Sequence, residues 1–273
     1  MHFLIFDPQG PVAGGERGVM LTVVLVMLAI VVPVLATLYV VAWKYRAGRK
    51  GPVLGVASHD DRPSRGKRQI LLWVAPAAIV AVLAVVNWQS AHALDPSRPL
   101  SSSHEQVTVD VVALDWKWLF IYPAQGIATL NFLEIPENTP VAFRLTADGA
   151  PMNSFWIPQL GGQIYAMAGM STLTHLMADQ PGDYRGQAAE INGPGYSDMT
   201  FEAKSVSQDD FDAWVASVKR SSAPLTLDAY KALVAPGADA ATTSYASVPD
   251  GLYDAIVVKY MSPSGTVAGV PAQ

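Results

Sequence analysis

Cysteine is absent from the whole of this 273-residue chain. Its absence excludes disulfides, thiolate metal sites and thiol nucleophiles, and also a lipidated N-terminal cysteine in the sequence as it stands. Histidine is scarce. His2, His59, His92, His104 and His175 are scattered, and no two stand at an H-x-H or H-x3-H spacing, so a histidine metal site has little local support. His175, in "TLTHLMA", reads as a solvent-side strand residue between apolar neighbours. Charge is thin as well, with Asp, Glu, Lys and Arg making up only 15% of residues around a formal net charge of −5. Nucleophile-elbow, P-loop and dinucleotide fingerprints are missing, which disfavours an autonomous hydrolase or transferase. No internal repeat is visible.

What is present in excess is apolar side chain, 51% of the chain, which suggests that part of it is solvated by lipid. Two uncharged runs carry most of it: Val19 to Trp43 and Ile70 to Trp88. The first, as a helix, rises roughly 37 Å, more than a hydrocarbon core of about 30 Å requires. The second is near the minimum spanning length. Pro33 and Pro76 lie inside them, which a membrane helix packed against neighbours tolerates better than a soluble one. Tyr39, Trp43, Trp73 and Trp88 fall where interfacial aromatics anchor a span. Between the runs stand Lys44, Arg46, Arg49, Lys50, Arg62, Arg65, Lys67 and Arg68, against Arg17 alone before the first. The positive-inside rule makes that loop, 44–69, cytoplasmic, and puts both the tail 1–18 and everything after Trp88 outside. Topology thus accounts for the basic run without nucleic acid. No signal-peptide pattern precedes the first span.

Residues 89–106 read as a Pro/Ser-rich linker. Short alternating segments follow: "VTVDVVA" from Val107, "WKWLFIY" from Trp116, "VAFRLT" from Val141, "TLTHLMA" from Thr172 and "MTFEAKS" from Met199. Strands at such spacing predict an antiparallel β-sandwich over 107–206. Trp116 and Trp118, two apart on one strand, are expected on one face with Lys117 opposite. They fill the core or form an aromatic patch for a membrane partner, the core being the simpler use of two indoles. From Ser207 the pattern becomes helical. "SQDDFDAWVASVKR" has a serine cap, acids in its first turn and bases in its last. "LTLDAYKALVAP" and "VPDGLYDAIVVKYM" predict two more short helices, so 207–262 reads as a helical arm and 263–273 as a mobile tail.

The hairpin of spans, the outer sandwich and the tryptophan-rich "DWKWLFIYP" resemble subunit II of the haem–copper respiratory oxidases. "DWKWLFIYPAQGIATLNFLEIPENTPVAFRLT", "MNSFWIPQLGGQIYAMAGM" and "GPGYSDMTF" resemble its ubiquinol-oxidase branch, the cytochrome o (bo-type) subunit II proteins, and the helical arm fits that branch too. The resemblance runs from about Asp7 to Met261. It implies a cupredoxin-like Greek-key sandwich anchored by a two-helix transmembrane hairpin, in the bacterial inner membrane, with the C-terminal domain in the periplasm.

Cytochrome c oxidases of the family hold a dinuclear copper centre in a loop C-S-E-x-C-G-x-x-H-x-x-M, plus an upstream histidine. Laid on "AAEINGPGYSDM", the pattern puts Ala188 and Asn192 at the cysteines, Tyr196 at the loop histidine and Asn153 at the upstream one. Glu190, Gly193 and Met199 keep the family residue. Soft thiolates bridge such a copper pair; an alanine, two amides and a phenol do not replace them. The resemblance therefore implies no metal or cofactor in this chain, with Met199 a core methionine. Without a copper port, it implies no cytochrome c donor. Electrons would come from ubiquinol oxidised in subunit I, where the haems and remaining copper would sit, and the complex would reduce oxygen to water and pump protons. This chain would be non-catalytic, capping subunit I beside other small membrane subunits, with Trp116 and Trp118 as candidate contacts. Two departures stand out. The branch carries a lipoprotein signal and cysteine just before its "DPxG" stretch, here "FDPQG" preceded by Met1 to Ile5. A glutamate that aids proton uptake near the foot of the second span corresponds here to Gln69, with Asp60 and Asp61 as weak substitutes. A free-standing membrane-anchored β-sandwich binding module is the alternative of a different class.

Overall fold

The computed structural model describes residues 6–46, 65–149, 152–237 and 241–261. It divides into two compact units, Gly18–Leu94 and a second made of Met1–Arg17 with Asp95–Gln273.

The first unit is built on α2 (Arg65–Ala93) and on α1 (Pro11–Lys44) from Gly18 onward, the start of α1 belonging to the second unit. Both exceed the apolar runs that announced them. Helix α1 starts at Pro11, inside what the sequence suggests is a tail, because proline is pre-organised for the first position of a helix. Helix α2 begins in the basic loop and ends at Ala93, inside the expected linker, since polar and basic residues continue a helix where lipid stops. The apolar stretch of each is 0% buried within the chain. Leu25, Leu38, Tyr39, Trp73 and Trp88 are all exposed. Past its first turns, α1 buries none of these side chains among the described residues, and lipid is the solvent that suits them. The Thr22 and Thr37 hydroxyls donate back to the Gly18 and Pro33 carbonyls at 2.9 and 2.8 Å, so neither presents a free donor to hydrocarbon. Asp60 and Asp61 lie outside the described residues, and so does the side chain of Gln69, whose backbone is in α2.

The second unit is a β-sandwich. Its strands are β1 (Val107–Leu114), β2 (Lys117–Tyr122), β3 (Ile127–Leu130), β4 (Phe132–Pro136), β5 (Val141–Ala147), β6 (Met152–Trp156), β7 (Ile164–Met167), β8 (Thr172–Leu176), β9 (Gly182–Ala188), β10 (Thr200–Val206) and β11 (Thr243–Tyr245). One sheet has the order β11-β3-β2-β1-β5-β8 and the other β4-β10-β9-β6-β7. The sandwich is not wholly antiparallel. Strand β5 lies parallel to β1, and β10 parallel to β4, because the chain crosses between sheets before returning beside an earlier strand.

Alternation decides the core. On β2, Trp118, Phe120 and Tyr122 point between the sheets and join Phe143, Phe155 and Phe201 in the main cluster. Leu119 and Ile121 point the other way, into a second cluster with Leu225, Tyr230, Leu252, Tyr253, Ile256 and Val257. Those partners come from the C-terminal arm, made of α3 (Gln208–Ser221), α4 (Leu227–Val234) and α5 (Leu252–Met261). The arm buries the outer face of the larger sheet, so β2 is covered on both sides and reads as a continuous apolar run. The Ser207 side chain accepts from the Asp210 amide and starts α3. The arm is not purely helical. Its segment Thr243–Tyr245 adds to the open edge of β3, where unpaired backbone groups offer a ready template.

The N-terminal residues of this unit lie on the sandwich. Gln9 donates to the Gln159 carbonyl at 2.8 Å, Asp179 donates to the Gln9 carbonyl at 2.8 Å, and Ala13 donates to the Leu160 carbonyl at 3.2 Å. A Cβ at Gly10 would stand 2.2 Å from the Met177 carbonyl oxygen, so only glycine permits that approach. His175 is buried, not solvent-facing: its backbone amide and its ring Nδ1 both meet the Pro96 carbonyl, at 3.0 and 3.1 Å.

Candidate functional site

The connection from β9 to β10, residues 189–199, is the loop whose length and turn residues match the copper-binding pattern. The Ala188 amide donates to the Met199 carbonyl at 3.0 Å and closes its neck. A 3-10 turn, Tyr196–Asp198, follows Gly195. The Ala189 amide reaches both the backbone and hydroxyl oxygens of Ser154, at 3.0 and 3.1 Å. This ties the loop to β6, where Phe155 pairs with Ala188.

The fold brings together most of the positions that the resemblance aligns with copper ligands. Asn153, Ala188 and Met199 are buried and Asn192 is half-buried. The Asn192 side-chain amide donates to the Asn153 side-chain Oδ1 and to the Met199 sulfur, the latter at 3.2 Å. Tyr196 packs against the edge of the main core, and Glu190 is half-buried on the loop. A network of two amides and a thioether thus joins three of the positions that the resemblance aligns with copper ligands.

That donor set does not fit a dinuclear copper centre. Ala188 has no donor atom, the Asn192 nitrogen is spent as a hydrogen-bond donor, and Met199 offers the one soft atom. Among the described residues no three His, Cys, Asp or Glu side chains come together to hold a metal.

The tryptophans depart from the sequence expectation. Trp118 is 0% exposed, between the sheets, and presents no surface to a partner. Trp116 is not on the strand. It occupies the two-residue β1–β2 turn, where Leu114 pairs with Lys117, and adopts a left-handed φ of 60°. Its indole lies over the loop, so that a Cβ at Gly195 would stand 2.4 Å from Cγ. Tight reversal of the hairpin, rather than strand alternation, sets its direction. Lys117 is buried at 5% exposure, and its ammonium donates to the Ala235 carbonyl at 2.7 Å, beyond the end of α4. Burial lowers its pKa, only partly offset by Asp115.

Sequence reasoning missed two polar anchors under the arm. Asp148, buried at the end of β5, accepts from Lys259 at 2.7 Å, from Tyr260 at 2.6 Å and from Tyr230 at 2.5 Å. Burial works against the Lys259 charge, but its hydrogen bond to Asp148 and that carboxylate's charge outweigh it and raise its pKa. Burial first, then Asp148, raises the Tyr230 and Tyr260 phenols. Asp110, buried on β1, takes two hydrogen bonds from Arg144 at 2.6 and 2.7 Å. Burial raises its carboxyl pKa and Arg144 pulls it partly back. The Arg144 guanidinium also lies over the Tyr253 ring at 4.8 Å. In the sequence Asp148 sits in "TADGAP" and looks like a turn residue; no local pattern marks it as an anchor.

The outer sandwich with this loop defines the class: residues 103–206 match the family described as "Cytochrome C oxidase subunit II, periplasmic domain", and 219–264 match "COX Aromatic Rich Motif". Among curated proteins the chain is 43% identical over 256 residues to the cytochrome bo(3) ubiquinol oxidase subunit 2 of Pseudomonas aeruginosa, covering 94% of this chain and 76% of that protein. It is 44% identical over 259 residues to the ubiquinol oxidase subunit 2 of Acetobacter aceti, covering 94% and 82%. The quinol oxidase subunit 2 of Bacillus cereus is 33% identical over 235 residues, covering 85% and 79%. The chain belongs to the ubiquinol oxidase subunit 2 family, within the haem–copper oxidase subunit II proteins.

Proposed function

We propose that this chain is the non-redox subunit II of a proton-pumping terminal ubiquinol oxidase of the bacterial inner membrane. It caps subunit I on the periplasmic side, while quinol oxidation and oxygen reduction take place on that partner. The observation that carries the reading is the Asn153–Asn192–Met199 network, which occupies a copper loop with side chains that cannot hold the copper pair. A subunit so built offers cytochrome c no electron port, and the family membership supplies quinol as the donor. Two exposed apolar helices supply the anchor. Of the two tryptophans, Trp116 alone remains a candidate contact with subunit I. Gln69 cannot ionise, so proton uptake belongs to other groups.

Gentle detergent extraction tests this directly. A large multi-span haem protein should co-purify in stoichiometric amount, and the complex should oxidise ubiquinol but not reduced cytochrome c. Recovery of this chain alone would favour the free-standing binding module. A copper-pair EPR signal from the chain separated from its partners would overturn the non-redox role.

A further inference from the structure

The loop that lost its ligands is not where the soft donors of this chain gather. In a protein without cysteine, thioethers are the only soft side-chain ligands, and four of the nine methionines lie on neighbouring backbone segments elsewhere. Met152 on β6 and Met167 on β7 are direct antiparallel partners, so they share a face with Cα atoms about 4.5–5.5 Å apart. The inward positions of this pair of strands are Asn153 and Ala166, both buried, and Met152 and Met167 stand on the opposite, outward side. The chain then reverses through Ala168 and Gly169, whose φ is 75°. The Met170 amide donates to the Met167 carbonyl at 3.3 Å, a turn that holds the two Cα atoms within about 7 Å. The fourth comes from the far end of the arm. A Cβ at Gly169 would meet Tyr260 Cβ at 3.1 Å and its carbonyl carbon at 3.4 Å, which sets Met261, the next residue, beside the same turn.

Three of these methionines are open to solvent, Met152 at 38% exposure, Met170 at 49% and Met261 at 62%, while Met167 is half-buried. A methionine used for packing is buried, as Met199 is at 1%. Flexible unbranched side chains on three separate backbone segments can converge on one point. Soft neutral sulfur selects a soft monovalent ion over Zn(II), Mg(II) or Ca(II).

We propose that Met152, Met167, Met170 and Met261 form a thioether site for Cu(I), separate from the loop of residues 188–199. Two or three of the four sulfurs coordinate the ion at once. A thioether carries no proton to displace, so affinity is flat between about pH 5 and 8, where a histidine site would weaken as its imidazoles protonate. Because Met261 belongs to the arm, bound ion also links α5 to the edge of the smaller sheet.

The test uses the full chain in detergent. Ag(I), a redox-inert stand-in, and Cu(I) under anaerobic reductant are titrated in competition with a chromogenic Cu(I) chelator. One ion per chain is expected, with sulfur-only neighbours by X-ray absorption. Met167→Leu and Met170→Leu should each weaken binding at least tenfold and together abolish it. Met261→Leu should weaken it less. Leucine for methionine conserves volume, so an unchanged melting temperature confirms that the variants fold, and Met27→Leu in α1 serves as the control. Absence of competition with the chelator would overturn the proposal. So would binding that survives the Met152, Met167 and Met170 triple substitution, that drops equally in Met27→Leu, or that falls with pH as histidine titrates.

Discussion

At residue scale Asn192 ties three segments together, since its side-chain amide reaches Asn153 on β6 and Met199 just before β10 from the middle of the loop. Three aspects of that site were legible in the residues. These were the absent thiolates, the turn-forming Asn-Gly-Pro-Gly and the retained methionine. The network itself was not, because Asn153 lies 39 residues away and only the pairing of β6 with β9 brings it near. Trp116 marks a second limit. Two-residue spacing suggests a shared strand face, whereas a left-handed φ in the hairpin turn sends its indole over Gly195. Gly195→Ala forces a methyl group into that ring and should cost about 1–3 kcal/mol. A lower unfolding midpoint with altered tryptophan fluorescence is the expected result. An unchanged midpoint would mean that Trp116 does not hold the loop down.

At the scale of elements, the C-terminal arm is fixed by an apolar cluster and by carboxylates set into it. Lys259, Tyr230 and Tyr260 around Asp148, and Tyr253 beside Arg144, all bind protons more tightly in the folded chain, with Tyr253 pushed up to about 12 chiefly by burial. Their contribution is therefore complete below about pH 10, the range of free tyrosine and lysine, and is lost as pH rises through the folded values. The arm should become protease-sensitive above that pH in step with phenolate absorbance, while the sandwich persists. Asp148→Ala should produce the same release at neutral pH. It removes the shared acceptor of two phenols and an ammonium, at a cost of about 3–5 kcal/mol, nearer the lower figure because Lys259 keeps about a third of its exposure. An arm that stays protected in this variant would place the holding force in the apolar contacts alone. Helix α3 was readable from its cap and charge placement, and α4 and α5 from their segments "LTLDAYKALVAP" and "VPDGLYDAIVVKYM". Strand β11 was not, since three residues acquire a strand conformation only when an open edge accepts them.

For the whole molecule, the two apolar helices predict retention in membranes through an alkaline carbonate wash and release by detergent; release by carbonate would exclude a spanning anchor. Composition and hydrophobic period were enough to find the two long apolar helices, the strand-rich middle and the helices of the C-terminal arm. Each of these depends on short-range properties that a window of sequence contains. The missing copper ligands, too, were a matter of residue identity alone. Tertiary structure decided the rest: the parallel returns of β5 and β10, the burial of His175 and Lys117, the asparagine network, the Asp148 anchor and the neighbouring placement of the segments that carry Met152, Met167, Met170 and Met261. The reason is physical. Burial and hydrogen-bond partnership are properties of pairs far apart in the chain, and no local pattern encodes a partner that only the closed sandwich brings into reach.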